Sequence, residues 1–253
     1  MPDMVTNPTI PIKYFCDLTL SDGINFLLVL LMKSNNMTSY SPEQYLREER
    51  INSITHVLGI LFGIVCIPIL IMNASENSAS SIIFGTIVYG FSFLMLFTFS
   101  TLFHWHTKPK LRKLFLILDH ISIYFLIAGT YTPFILIFIN NSFGMMLLSV
   151  LWSLTLVGIF FKIFYTGRFE IISTIIYLLM GWMLLTGADE FFAKMPSPII
   201  TLIIVGAGLY TIGVLFYIWR FFAYNHAVWH LFVLSAAICH FSAILMSVPV
   251  VAQ

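Results

Sequence analysis

Seven stretches of this chain are each long and apolar enough to cross a lipid bilayer. They run over roughly residues 52–73, 82–104, 115–139, 143–163, 171–188, 199–219 and 227–249. A spanning helix needs about 20 predominantly apolar residues. Hydrocarbon offers no partner to backbone N–H and C=O groups, and open sheets are excluded there. The expected fold class is therefore an all-α membrane protein, a seven-transmembrane helix bundle with its two termini on opposite sides. Composition agrees, since 59% of the 253 residues are hydrophobic and only 9% charged. A net charge of +1 and the absence of a Lys/Arg-rich tract give no basis for a nucleic-acid partner. No protein partner can be read from the chain.

Basic residues set the orientation. Lys13, Lys33, Arg47 and Arg50 precede the first span, and Lys108, Lys110, Arg112 and Lys113 follow the second. Lys162 and Arg168 follow the fourth, and Arg220 follows the sixth. Of the 12 Lys and Arg residues, only Lys194 falls on the other side. This predicts a cytoplasmic N-terminus and a C-terminus outside, in a multi-pass protein of the plasma (bacterial inner) membrane.

Against that frame, the polar residues inside the spans stand out. His104 lies four residues before Lys108, about 6 Å of helix rise. Asp119 lies six residues past Lys113 and His226 six past Arg220, each about 9 Å along a helix. All belong to the cytoplasmic third of the membrane, where imidazoles and carboxylates are costly and mark function. His230 is one turn from His226 on the same face, a spacing that lets two imidazoles chelate one ion. Ser100 precedes His104 by one turn. Three imidazoles with a fourth position open match a catalytic rather than closed structural zinc geometry. Asp119 is then placed to orient a water or accept and return its proton, and Ser100 to hydrogen-bond that water or an oxyanion. A proton relay and a helix-pinning hydrogen-bond network are the alternatives on topology alone.

Glu49, Asn52 and His56 form a stripe near the cytoplasmic end of the first span. It is read either as support for the ligands or as an interfacial polar stripe. His106 falls in the basic loop, and His120 points about 100° from Asp119 toward packing or a local hydrogen bond. His240 lies about 21 Å along the axis from His226, too far for the same ion. Cys16, Cys66 and Cys239 show no CxxC spacing, so neither a disulfide framework nor a cysteine zinc site is expected. Residues 1–44 are read as a cytoplasmic or interfacial extension and 45–253 as the membrane domain. The apolar run at 24–32 is too short to span, and no small-residue cleavage site marks a signal peptide. Ser41-Pro42-Glu43-Gln44 is a helix start, expected to open a short interfacial helix. Asn73-Ala74-Ser75 and Asn140-Asn141-Ser142 match the glycosylation sequon but lie against the membrane.

Three blocks carry a family resemblance. The first is Glu48-Glu49-Arg50-Ile51-Asn52-Ser53-Ile54-Thr55-His56. The second joins Ser100-Thr101-Leu102-Phe103-His104, Leu118-Asp119-His120 and Ile127-Ala128-Gly129-Thr130-Tyr131-Thr132-Pro133-Phe134. The third is His226-Ala227-Val228-Trp229-His230-Leu231-Phe232-Val233, with His240 ten residues on. Together they cover about residues 45 to 245, and the chain resembles the hemolysin III family of the progestin and adipoQ receptor superfamily. The resemblance implies seven helices around a zinc ion near the cytoplasmic face. It implies His104, His226 and His230 as zinc ligands, with Ser100 and Asp119 associated with the zinc-bound water. It also implies a bundle that holds a fatty-acyl chain or ceramide-like lipid, since the superfamily includes zinc-dependent ceramidases. The N-terminal extension is longer than the compact bacterial-type pattern.

The favoured expectation is a Zn2+-dependent hydrolase of lipid amides or esters. A lipid-responsive receptor or sensor with structural zinc is the alternative. A membrane-lytic, pore-forming role takes hemolysis literally, although no span shows the polar face that lines a channel.

Overall fold

The computed structural model describes residues 41–219 and 223–248. The apolar run at 24–32 and the rest of residues 1–40 lie outside the described residues, as do Arg220 and Pro249. The described residues form α1 (Pro42–Asn77), α2 (Ser80–Trp105), α3 (Pro109–Phe138), α4 (Ser142–Tyr165) and α5 (Glu170–Gly181). A 3-10 turn (Met183–Gly187), α6 (Ala188–Ala193), α7 (Ser197–Ile218) and α8 (Asn225–Ser247) complete them. No strand occurs among them. Six helices, α1 to α4, α7 and α8, are long and apolar enough to cross a membrane.

Local chemistry explains where α1 begins. The Ser41 hydroxyl accepts from the Gln44 backbone N–H at 3.2 Å, and the Gln44 side chain accepts from the Ser41 N–H at 3.0 Å. Pro42 occupies the first turn, where its missing N–H costs nothing. The expected short interfacial helix is not a separate element. It forms the opening turns of a 36-residue helix that runs on through Asn73-Ala74-Ser75 to Asn77. Polarity alone does not end a helix while its backbone bonds persist; extended backbone arrives only at Ser78 (φ −137°).

Helix α3 is the centre of the bundle, with 72% of its most apolar window buried against 28% for α4 and for α7. It packs between α2 and α4 and also touches α5 and α8, while α1 pairs with α2 and α8, and α7 with α8. Phe93, Phe97, Tyr89 and Tyr124 fill the interior. The outward faces remain apolar, with Ile64, Val65, Phe84, Phe91, Leu156 and Phe160 exposed. Such surface suits lipid rather than water. Gly59 lets α1 approach α2 closely: a Cβ there would stand 2.3 Å from the Phe97 ring. That ring in turn lies edge-on to His56, with centroids 5.0 Å apart.

The fifth apolar stretch departs from the expected continuous helix over 171–188. α5 has 12 residues, about 18 Å of rise, short of a hydrocarbon core about 30 Å thick. The backbone then tightens into the 3-10 turn. Groups freed by that break are taken up by a neighbour: the Tyr131 hydroxyl donates to the Gly181 carbonyl at 2.8 Å and accepts from the Leu184 N–H at 3.0 Å. Trp182 Nε1 donates to Thr211 Oγ1 at 3.0 Å on α7. Irregular backbone is tolerated at membrane depth where buried side chains satisfy it in this way.

Tyr131→Phe removes both bonds while keeping the ring. We expect a destabilisation of about 1–3 kcal/mol, the cost of leaving buried polar groups unpaired. The check is thermal unfolding of the detergent-solubilised protein; an unchanged midpoint contradicts this account of the break.

Candidate metal centre

One end of the bundle gathers His56, His104, His226 and His230. His104 sits in the last turn of α2, and His226 and His230 in the first two turns of α8. The placement of α8 depends on Asn225, its buried first residue. The Asn225 side-chain amide donates to the carbonyls of Phe216 and, at 2.6 Å, of Trp219. It thus ties the end of α7 to the start of α8. Tyr224 before it adopts left-handed backbone (φ 66°), which turns the chain into the helix.

His104, His226 and His230 each offer a ring nitrogen, and these atoms all lie within 4.8 Å of one another. His104 and His230 are buried and His226 is partly so. His104 Nε2 and His230 Nε2 face each other at 3.1 Å. Metal–nitrogen bonds of about 2.0–2.1 Å in tetrahedral array place ligand nitrogens about 3.3 Å apart. The donor set therefore fits one ion, and its all-imidazole character suits several transition metals.

Helix α1 supplies no nitrogen to this trio but touches two of its members. Glu49 Oε2 accepts from His104 Nδ1 at 3.0 Å. An acceptor-only carboxylate puts the imidazole proton on Nδ1 and leaves the Nε2 lone pair facing the cluster. His56 Nε2 contacts His230 Nδ1. The chain of contacts closes in two ways. Without a cation, His230 donates from Nε2 to His104 and accepts at Nδ1 from His56. Were the trio to hold a cation, both Nε2 atoms would present lone pairs, His230 would donate from Nδ1 to His56, and the His56 proton would sit on Nδ1. That Nδ1 atom is buried without a hydrogen-bond partner among the described residues.

The other sequence-predicted residues divide. Buried Ser100 lies within hydrogen-bonding reach of the Asp119 carboxyl, and His104 is near enough to act on it electrostatically. Asn52, four residues before His56, is buried, but its side-chain oxygen has no partner among the described residues. His106 stacks on Phe115 with centroids 5.1 Å apart, and His240 Nε2 meets the Ile203 carbonyl at 3.2 Å, deep in the bundle. His120 faces away from the trio, toward Glu170 at 3.5 Å. Cys66 and Cys239 are free thiols.

A second ionic cluster adjoins this end of the bundle and was not read from the sequence, where Lys162 serves only as a topological charge. The Lys162 ammonium is fully buried and donates to Glu170 Oε2 at 2.7 Å. The other carboxylate oxygen accepts from the Gly167 N–H at 3.0 Å, closing the α4–α5 turn. Gly167 (φ 82°) and Phe169 (φ 57°) give that turn its left-handed backbone. The available signal was a lysine inside an apolar run followed eight residues later by an acid.

Residues 44–241 match the family described as "Haemolysin-III related". The chain is 42% identical to Hemolysin-3 of Bacillus cereus over 205 residues, covering 81% of this chain and 94% of that one. It is 40% identical to the Hemolysin-3 homolog of Bacillus subtilis (strain 168) over 200 residues, 79% of this chain and 94% of that one. Monocyte to macrophage differentiation factor of Homo sapiens is 27% identical over 215 residues, 81% and 85% of the two chains. No solved structure matches the chain.

Lys162→Met leaves the Glu170 carboxylate to the Gly167 N–H and to His120 at 3.5 Å. Breaking a wholly buried pair costs about 3–5 kcal/mol. The Glu170 side chain is 30% exposed, so the loss here is expected below that range. The double variant Lys162→Met/Glu170→Gln is expected to recover part of it. Thermal unfolding of both variants checks the pair, and a double variant no better than the single speaks against it.

Proposed function

The chain belongs to the haemolysin-III-related family, and from that premise we propose a zinc-dependent hydrolase of lipid amides or esters, ceramidase-like in chemistry. The observation that carries the reading is the approach of three imidazole nitrogens to within 4.8 Å. His104, His226 and His230 would hold the ion. Bound there, zinc supplies Lewis acidity and makes water nucleophilic near neutral pH.

The chain's own residues divide the remaining work. Asp119 takes a proton from the attacking water and returns it to the leaving amine or alcohol, a general acid–base role. Ser100, one helical turn from His104, holds the Asp119 carboxyl in place. Glu49 and His56 orient two of the ligands through their second nitrogens, and Asn52 is assigned to that support only by its place on the same helix. The acyl chain of the membrane lipid is the partner we assign to the apolar interior of the bundle.

The same reading assigns residues 1–44 to an extension and 45–253 to a membrane domain with seven crossings. The N-terminus is cytoplasmic, the C-terminus outside, and the membrane the plasma (bacterial inner) membrane. The fifth crossing is then discontinuous, made by α5, the 3-10 turn and α6. An even number of crossings would return the C-terminus to the cytoplasm. A C-terminal reporter active only outside the cytoplasm is expected to be active in cells, and an inactive one removes the seventh crossing.

A second reading is favoured by the histidine chain itself. The contacts from His56 through His230 and His104 to Glu49 also close without a cation. That arrangement suits a proton relay or a lipid-responsive receptor in which the cluster pins helices. A lytic role has less support, because the exposed faces are apolar.

Elemental analysis of the purified protein separates these readings. About one zinc per chain is expected in the parent and none in His226→Ala/His230→Ala. Asp119→Asn is expected to keep the metal and lose turnover of lipid amides. A folded parent without metal removes the hydrolase reading. Metal without turnover moves the function to the receptor.

A further inference from the structure

Arg112 lies at the start of α3, four residues into the helix, where sequence patterning assigns it only to the basic loop. Its side chain does more specific work. Nη2 donates to Glu49 Oε2 at 3.0 Å, the same oxygen that accepts from His104 Nδ1 at 3.0 Å. Nη1 reaches the carbonyls of Phe103 and His106, each at 3.4 Å, at the end of α2. The guanidinium carbon stands 4.5 Å from the centroid of the Phe103 ring. One planar fork therefore grips the α1 carboxylate, the α2 C-terminus and the ring beside His104.

We infer that Arg112 is a positioning residue of the metal centre, acting on His104 through Glu49. The inference rests on the metal reading above. Glu49 is only 13% exposed in its side chain, and Arg112 sets a full positive charge against it. Held by Arg112, its carboxylate keeps the Nδ1 proton of His104 in place and so keeps the Nε2 lone pair aimed at His230. Without Arg112 the carboxylate is free to swing toward water, and the His104 ring loses its reason to hold one tautomer and one orientation. Lysine cannot reproduce this. It carries the charge as a point and cannot grip the carboxylate and the two carbonyls from one plane. A guanidinium that merely caps α2 and flanks the membrane makes a different prediction, since its loss would then be independent of Glu49.

The test is a mutant cycle on the full-length protein in detergent, with zinc affinity measured by competition with a chelator. Glu49→Ala and Arg112→Gln are each expected to weaken zinc about 10- to 100-fold, the usual effect of removing a group that orients a ligand. The double variant is expected to bind zinc no more weakly than Glu49→Ala alone. Arg112→Lys is expected to fall between parent and Arg112→Gln, and the visible spectrum of the cobalt-loaded protein is expected to shift in both Arg112 variants. Unchanged affinity in Arg112→Gln, or losses that multiply in the double variant, overturn the inference while leaving the metal site standing. If Arg112→Gln does not fold, Arg112→Lys decides, and parental affinity with a parental cobalt spectrum overturns the proposal. A parent that binds no zinc overturns the metal reading itself, and this inference with it.

Discussion

A polar group placed in hydrocarbon must find its partner inside the protein, and this constraint organises the whole molecule. It forces the described residues into helices and leaves their outward faces apolar. It also explains the pairing of five ionisable side chains at one end. Glu49, His56, Arg112, Lys162 and Glu170 come from four helices, and each reaches another polar group described above. The same rule governs the broken fifth stretch, where one tyrosine hydroxyl serves a carbonyl and an N–H that the helix has released.

The histidine cluster is a product of helix adjacency. α1 packs on both α2 and α8, the two helices that carry His104, His226 and His230. That position lets Glu49 reach one ligand and His56 another, seven residues apart on one face of one helix. Gly59 and the Phe97 ring set how closely α1 lies. α1 is thus an orienting helix, and the same contacts supply both the support a metal would need and a closed hydrogen-bond path in its absence.

Much of this was legible beforehand. The long apolar segments are visible because a bilayer reads length and composition, properties local to the chain. The start of α1 was visible because a capping box is a contact between residues three apart. The cluster of His104, His226 and His230 was legible through i, i+4 spacing and through depth measured from basic loops. The break after Gly181 was not, because the sequence there remains apolar and the partner that tolerates it, Tyr131, is 50 residues away. Nor was the continuity of α1 through Asn73, since polar residues resemble a loop in a hydropathy reading.

By itself, then, the sequence determined that the chain must be helical and membrane-embedded. It also determined which side chains are too polar to sit in lipid without a purpose. Only the tertiary structure decided which of them meet. His230 and His56 are 174 residues apart, Arg112 and Glu49 63. Their contact depends on the rotation of each helix about its axis and on how closely neighbours pack. Those quantities are set by the fit of many apolar side chains at once, and no short stretch of sequence contains them.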